Sequence, residues 1–374
     1  MTSAAGLEAI DQLLSRRTEA NERFFGAEAA RIARLCREMA ARFMQGGRLI
    51  AVARTPQSWS DARHVAVEFV HPVIVGKRAL PALAISPDDL GLLTEPNDMV
   101  IAFDAVTLPE GLLTIAFEET GAEWEFQPPG EDPFVRQELV ETLYHVLWEL
   151  VHVFFEHGAS STTGAGSSAF LYPFLEQRDG DLDHVEEDVR RSVLLKAEEI
   201  GELRARTLNG AREELTNAAR ALRDRFEQGG KLLALGNGGS ATDSMDMVAD
   251  FRRAPQGWPA RPAIDLAADP AILTALANDI GPEVLFARQV IAYGAEGDSL
   301  VALSTSGDST NVIEALAEAR RRRLVTVAFV GYDGGRIAAE RLADHVVVTE
   351  SENIPRIQEA QAAAYHVLRE LVEA

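Results

Sequence analysis

The chain has 374 residues, a formal net charge of −22, 47% apolar residues and one cysteine. Its length suits two or more domains, and its acidity argues against nucleic-acid binding, because phosphate backbones recruit Lys and Arg. Cys36 alone excludes an internal disulfide framework and a Cys-rich zinc site, and no run reaches the roughly 18 apolar residues of a membrane span.

In chain order, "MTSAAGLEAIDQLLSRRTEA" is polar and charged, unlike a secretory leader, which leads to the expectation of a cytoplasmic protein. "AARIARLCREMAARFMQGG" (29–47) carries apolar residues at three- and four-residue spacing and ends in Gly-Gly, a helix followed by its C-cap signal. "AREELTNAARALRDRFEQGG" (211–230) repeats that pattern. The repeat continues: "RFMQGGRLIAV" (42–52) matches "RFEQGGKLLAL" (225–235), and "YHVLWELV" (144–151) matches "YHVLRELV" (365–372). A repeat of this size is a whole domain. The expected organisation is a first domain at 1–157, a flexible Gly/Ser/Thr/Ala-rich linker at 158–185 and a second domain at 186–374. The acidic run "EQRDGDLDHVEED" (176–188) has no EF-hand spacing and reads as solvated chain. "EARRRRL" (318–324) reads as positive charge at a helix C-terminus.

The second half alternates strands and helices. "KLLALG", "SLVALS", "VTVAFVG" and "HVVVT" read as strands, with helices between them and a long closing helix. Such alternation means α/β architecture with a parallel sheet covered on both faces. "LLALGNGGSATD" (232–243) runs from a strand through Gly236, Asn237, Gly238, Gly239 and Ser240 into a helix. Glycines let backbone N–H groups approach an anion, and a helix start adds unpaired donors and a positive dipole end. Alone, the loop reads equally as an ordinary turn. "VALSTSGDSTNVIEAL" (301–316) adds Ser304, Thr305, Ser306 and Ser309 before the next helix, more hydroxyls than one N-cap needs. Two such loops suit a phosphate-ester pocket at the C-terminal ends of neighbouring parallel strands.

Together with "ANDIGPEVLFARQV" (277–290) and "RIQEAQAAAYHVLREL" (356–371), these motifs resemble the sugar-isomerase (SIS) domain family, most closely its phosphoheptose isomerases, over about residues 190–374. The resemblance implies two tandem SIS-type Rossmann-like domains, the first degenerate, and interconversion of a ketose phosphate and an aldose phosphate. The expected reaction takes sedoheptulose 7-phosphate to D-glycero-D-manno-heptose 7-phosphate through an enediol, within heptose or lipopolysaccharide biosynthesis. It assigns Asn237, Gly238, Gly239, Ser240, Ser304, Thr305, Ser306 and Ser309 to phosphate binding, and Asp279 and Gln358 to the substrate. Family members resemble tetramers of single domains, so a homodimer of this chain is expected, with no nucleotide cofactor.

An isomerase of this kind needs a base for the carbon-bound proton and an acid near the oxygens. The resemblance implies a His-x-x-x-Glu pair after the Gly-rich loop and a Gln and a His on the closing helix, holding zinc. In the second half those first two positions are Asp246 and Asp250, with Gln358 and His366 retained. An aspartate is shorter by a carbon–carbon bond, roughly 1.5 Å, a displacement large enough to matter to catalysis. The first half shows the reverse: the Gly-rich loop has become "ARTPQSWSDARHVAVEF" (53–69) and the serine loop "VIAFDAVTL" (100–108). It keeps His64 and Glu68 one helical turn apart, with Gln137 and His145 spaced like Gln358 and His366. The expectation is a division of labour, with a site shared between the halves. The second half holds phosphate; His64, Glu68, Gln137 and His145 hold zinc; Glu68 is the base, His145 or His366 the acid, and Asp250 the base if the second half works alone. The opposing expectation is a non-catalytic sugar-phosphate-binding regulator, like relatives that bind a replication-initiation protein.

Overall fold

The structure is a computed structural model and describes residues 3–72, 77–158 and 182–374; the expected linker at 158–185 falls, over 159–181, outside the described residues. The elements are α1 (Ser3–Met44), β1 (Leu49–Val52), α2 (Pro56–Val70), β2 (Ala82–Ile85), α3 (Leu90–Leu93), β3 (Met99–Ala102), β4 (Leu113–Ala116), β5 (Trp124–Glu125), α4 (Pro133–Gly158), α5 (Leu182–Gly210), α6 (Arg212–Glu227), β6 (Leu232–Leu235), α7 (Gly239–Arg252), β7 (Ala263–Asp265), α8 (Pro270–Asp279), α9 (Leu285–Tyr293), β8 (Ser299–Ser304), α10 (Thr310–Arg321), β9 (Val325–Gly331), α11 (Gly335–Ala339), β10 (His345–Thr349) and α12 (Ile354–Glu373). None of the described helices is long and apolar enough to cross a membrane.

The strands form two five-stranded parallel sheets, in the orders β2-β1-β3-β4-β5 and β7-β6-β8-β9-β10. Counted within its own half, each is the same 2-1-3-4-5 order, a doubly wound sheet whose connections reverse direction beside the first strand. The α/β class expected from the strand–helix alternation is what the chain adopts.

The chain divides into two compact units. The first-sheet unit is Glu19–Glu199, and the second-sheet unit is Met1–Thr18 with Ile200–Ala374. These bounds differ from the 1–157 and 186–374 read from composition, because the ends of two long helices pack away from their own half. In the second-sheet unit, Ile10 and Leu13 of α1 share a core with Leu371 and Val372, and Arg17 donates to Glu370 at 3.0 Å. In the first-sheet unit, Val185, Val189 and Val193 of α5 lie in the core, and the Asn21 amide donates to the Ala197 carbonyl at 2.8 Å.

Alternate strand residues face opposite sides of each sheet. In the second, Leu232, Ala234, Val301, Leu303, Val327 and Phe329 face α6, α7 and α12, while Leu233, Leu235, Leu300 and Ala302 face α9 and α10. The corresponding outer layer of the first sheet is thin. Among the described residues, eight buried ones form it, against seventeen in the second, and the β3–β4 connection holds no helix. That connection is thus a loop whose Leu108 and Leu112 pack against this layer.

Candidate functional site

The Gly-rich loop joins β6 to α7. Gly238 has φ +57, and a Cβ on Gly236 would lie 2.1 Å from the Ser240 carbonyl oxygen, so that position excludes any side chain. The serine loop joins β8 to α10, and β8 pairs directly with β6. Both loops therefore lie at the C-terminal edge where the strand order reverses, the crevice in which open α/β sheets bind ligands. Asn237 and Asn311 tie the loops together, each amide nitrogen donating to the other's oxygen at 3.0 Å. Within the serine loop, Ser304 Oγ accepts from the Gly307 N–H at 3.1 Å and Ser306 Oγ from the Asp308 N–H at 3.2 Å. Ser309 is the α10 N-cap and makes no side-chain capping bond. Ser240 lies buried in the first turn of α7. Gly239 starts the same helix; Thr305 and Ser306 are half-buried. Asp279 ends α8 in an exposed position, bonded to its neighbour Asn278.

Further along α7, Asp246 and Asp250 sit one turn apart and meet α12. His366 Nε2 lies 3.2 Å from Asp246 Oδ2 and 3.4 Å from Asp250 Oδ2. The Tyr365 hydroxyl donates to Asp246 Oδ2 at 2.8 Å. All four residues are buried. Burial raises the Asp250 carboxyl to about 6; the Asp246 carboxylate adds to the rise, and His366 and Arg369 oppose it. The Gln358 side chain is buried and its Oε1 has no hydrogen-bond partner.

In the first-sheet unit, α2 and α4 bring three of the expected residues together. His145 Nε2 lies 3.2 Å from His64 Nε2, and His64 Nε2 lies 3.9 Å from Glu68 Oε1. Two zinc–nitrogen bonds of about 2.0–2.1 Å at a tetrahedral angle place their nitrogens roughly 3.3 Å apart, so the imidazole pair is set at the spacing of a shared metal. Gln137, the fourth expected ligand, donates its amide to Asp61 Oδ1 at 3.1 Å, which leaves its buried Oε1 unpaired. Burial, and secondarily His145, hold His64 well below the usual histidine range, in the neutral form that ligates metals. This donor set fits zinc. The Asp246, Asp250 and His366 donors also lie within 4.8 Å of one another, but two carboxylates with one imidazole suit zinc less well than two imidazoles.

Five contributors escaped the sequence reading. Tyr365 and its counterpart Tyr144 precede the histidine in both copies of the repeated phrase, a signal that was available. Asn311 and Asp61 bond to partners 74 and 76 residues away, and Arg369 donates to the Asp250 carbonyl from 119 residues away, distances that leave no local pattern.

A family model described as SIS domain matches residues 197–331. Phosphoheptose isomerase from Chlorobaculum tepidum is 47% identical over 159 residues, covering 41% of this chain and 75% of that protein. Phosphoheptose isomerase from Roseiflexus sp. is 40% identical over 190 residues, covering 49% of this chain and 92% of that protein. Among solved structures, tagatose-6-phosphate ketose/aldose isomerase from Escherichia coli superposes with a TM-score of 0.58 at 13% identity, over 100% of this chain and 94% of that one. The C-terminal domain of glucosamine-fructose-6-phosphate aminotransferase from Francisella tularensis gives 0.62 at 9% identity, over 98% and 95%. At those identities the two structures speak to fold alone.

Proposed function

The chain belongs to the SIS-domain family alongside the phosphoheptose isomerases, and from that premise we propose that it interconverts the ketose and aldose forms of a sugar phosphate, with sedoheptulose 7-phosphate as the ketose. The observation that carries this is the pair of amide-clamped loops at the reversal point of the second sheet, one of which opens the helix that also bears Asp250. Ser240, Ser304, Thr305, Ser306 and Ser309 bind the phosphoryl group, aided by the N-terminus of α7.

Proton transfer between adjacent carbons needs a group that is ionised near neutrality yet basic enough to accept a proton. Asp250 at about 6 meets that condition. We assign it the removal of the carbon-bound proton, with His366, in contact with both carboxylates, supporting the charge. Both groups belong to the unit that holds the phosphate loops. Glu68, expected both as base and as metal ligand, we assign to the metal set with His64, His145 and Gln137. Zinc bound there would supply Lewis-acid polarisation of an oxygen.

Turnover of sedoheptulose 7-phosphate by Asp250→Asn and Glu68→Gln variants tests the assignment. Asp250→Asn is expected to lose at least about 100-fold in kcat, with Glu68→Gln less affected. The opposite order assigns the base to Glu68. Binding without turnover in the native chain would instead favour a sugar-phosphate-binding regulator.

A further inference from the structure

The first-sheet unit contains, at the start of α2, a counterpart of the phosphate site, and it is filled by the chain itself. Strand registers align Val52 with Ala102 in one sheet and Leu235 with Ala302 in the other. Two residues further on, Asp104 stands where the second sheet has Ser304. The Asp104 carboxylate crosses to the start of α2. Its Oδ2 accepts from the Arg54 N–H at 2.5 Å and the Thr55 N–H at 3.3 Å, and lies 2.5 Å from the Ser58 hydroxyl. Its Oδ1 accepts from the Thr55 hydroxyl at 3.3 Å. Two backbone N–H groups and two hydroxyls at the start of a fifteen-residue helix are the donor types used for a phosphoryl group, and here a carboxylate already takes them.

We propose that Asp104 is a built-in anion occupying the phosphate position of the first-sheet unit, so that the chain binds one phosphate ester in all, in its second-sheet unit. The stoichiometry rests on the second-sheet loops being the phosphate cradle; the occupancy at α2 rests only on the contacts of Asp104. Losing the carboxylate leaves converging donors without their acceptor, a cost that a free anion can relieve. The same contact accounts for a unit that keeps the α/β topology but has lost the Gly-rich and Ser-rich motifs: its own side chain replaces the ligand they would bind.

The test uses the full chain as the native protein, Asp104→Ala, and Asp104→Ser, which restores the residue type of Ser304. Thermal unfolding is measured in chloride and in millimolar inorganic sulfate, and sugar-phosphate stoichiometry by calorimetry. Both variants are expected to unfold a few degrees lower in chloride and to recover most of that loss in sulfate, with a smaller gain for the native chain. The native chain is expected to bind one equivalent of sugar phosphate. An undiminished melting temperature in both variants, a loss that sulfate does not relieve, or two equivalents bound by the native chain would overturn the proposal. A native chain that binds none, beside variants that still recover in sulfate, would leave Asp104 as the internal anion while refuting the cradle and with it the stoichiometry.

Discussion

Burial acts in opposite senses on Asp250 and His64, raising the acid and lowering the base, and in both it favours the uncharged form. Asp250 also has Asp246 one turn away, whose negative charge raises it further. Replacing Asp246 by Asn removes that charge, so the Asp250 pKa must fall. Because the base works ionised, the acid limb of the kcat/KM profile is expected near pH 6 in the native chain and at lower pH in Asp246→Asn. A profile that does not move would show that Asp250 does not set the limb. At this scale, the sequence showed spacings within one helix and little beyond it. His64 and Glu68, or Asp246 and Asp250, are readable because four residues make one turn. The bond from Tyr365 to Asp246 spans 119 residues, and that from Ser58 to Asp104 spans 46. Such pairs arise only after the sheet has set its register.

Glycine decides which elements can bring backbone close to a ligand. Gly307 has φ +66, and a Cβ there would lie 2.2 Å from the Gly334 carbonyl oxygen. Gly307→Ala therefore meets both a disfavoured backbone and a backbone clash; the left-handed conformation alone costs about 1–2 kcal/mol, which corresponds to roughly a tenfold change in an equilibrium constant. The variant is expected to bind sugar phosphate at least that much more weakly by calorimetry, with its far-UV circular dichroism unchanged. Unaltered affinity would mean that the serine loop does not form the cradle. Some strands visible in the sequence were long and buried, β8 at every position and β9 at all but the first, while the partly exposed edge strand β10 was legible from its Val346–Val348 run. The half-exposed edge strands β2 and β7 span four and three residues and carry too little alternation to read. The α8 segment is apolar, yet none of its residues is buried, so hydrophobicity there did not signal a core.

At the scale of the whole chain, the repeat showed two halves, while the limits of the compact units depend on where helix ends pack, which no local pattern displays. What the halves retain is complementary. The second-sheet unit has the Gly-rich and Ser-rich loops with an Asp/Asp/His cluster, and the first-sheet unit has the His/Glu/His cluster with Asp104 bonded at the start of α2. If these are separate chemical functions, each must be removable without the other. His145→Ala takes one imidazole from the paired nitrogens 3.2 Å apart and is expected to reduce zinc retained through purification from about one equivalent to a small fraction, as measured by elemental analysis, because a zinc site needs its full ligand set. Its affinity for sugar phosphate is expected to stay within about twofold of native. Ser306→Ala is expected to do the converse, weakening phosphate binding with zinc content unchanged. Parallel loss of both in either variant would mean that metal and phosphate ligation are one coupled function, and that the family's metal set has not been kept as an independent site in this chain.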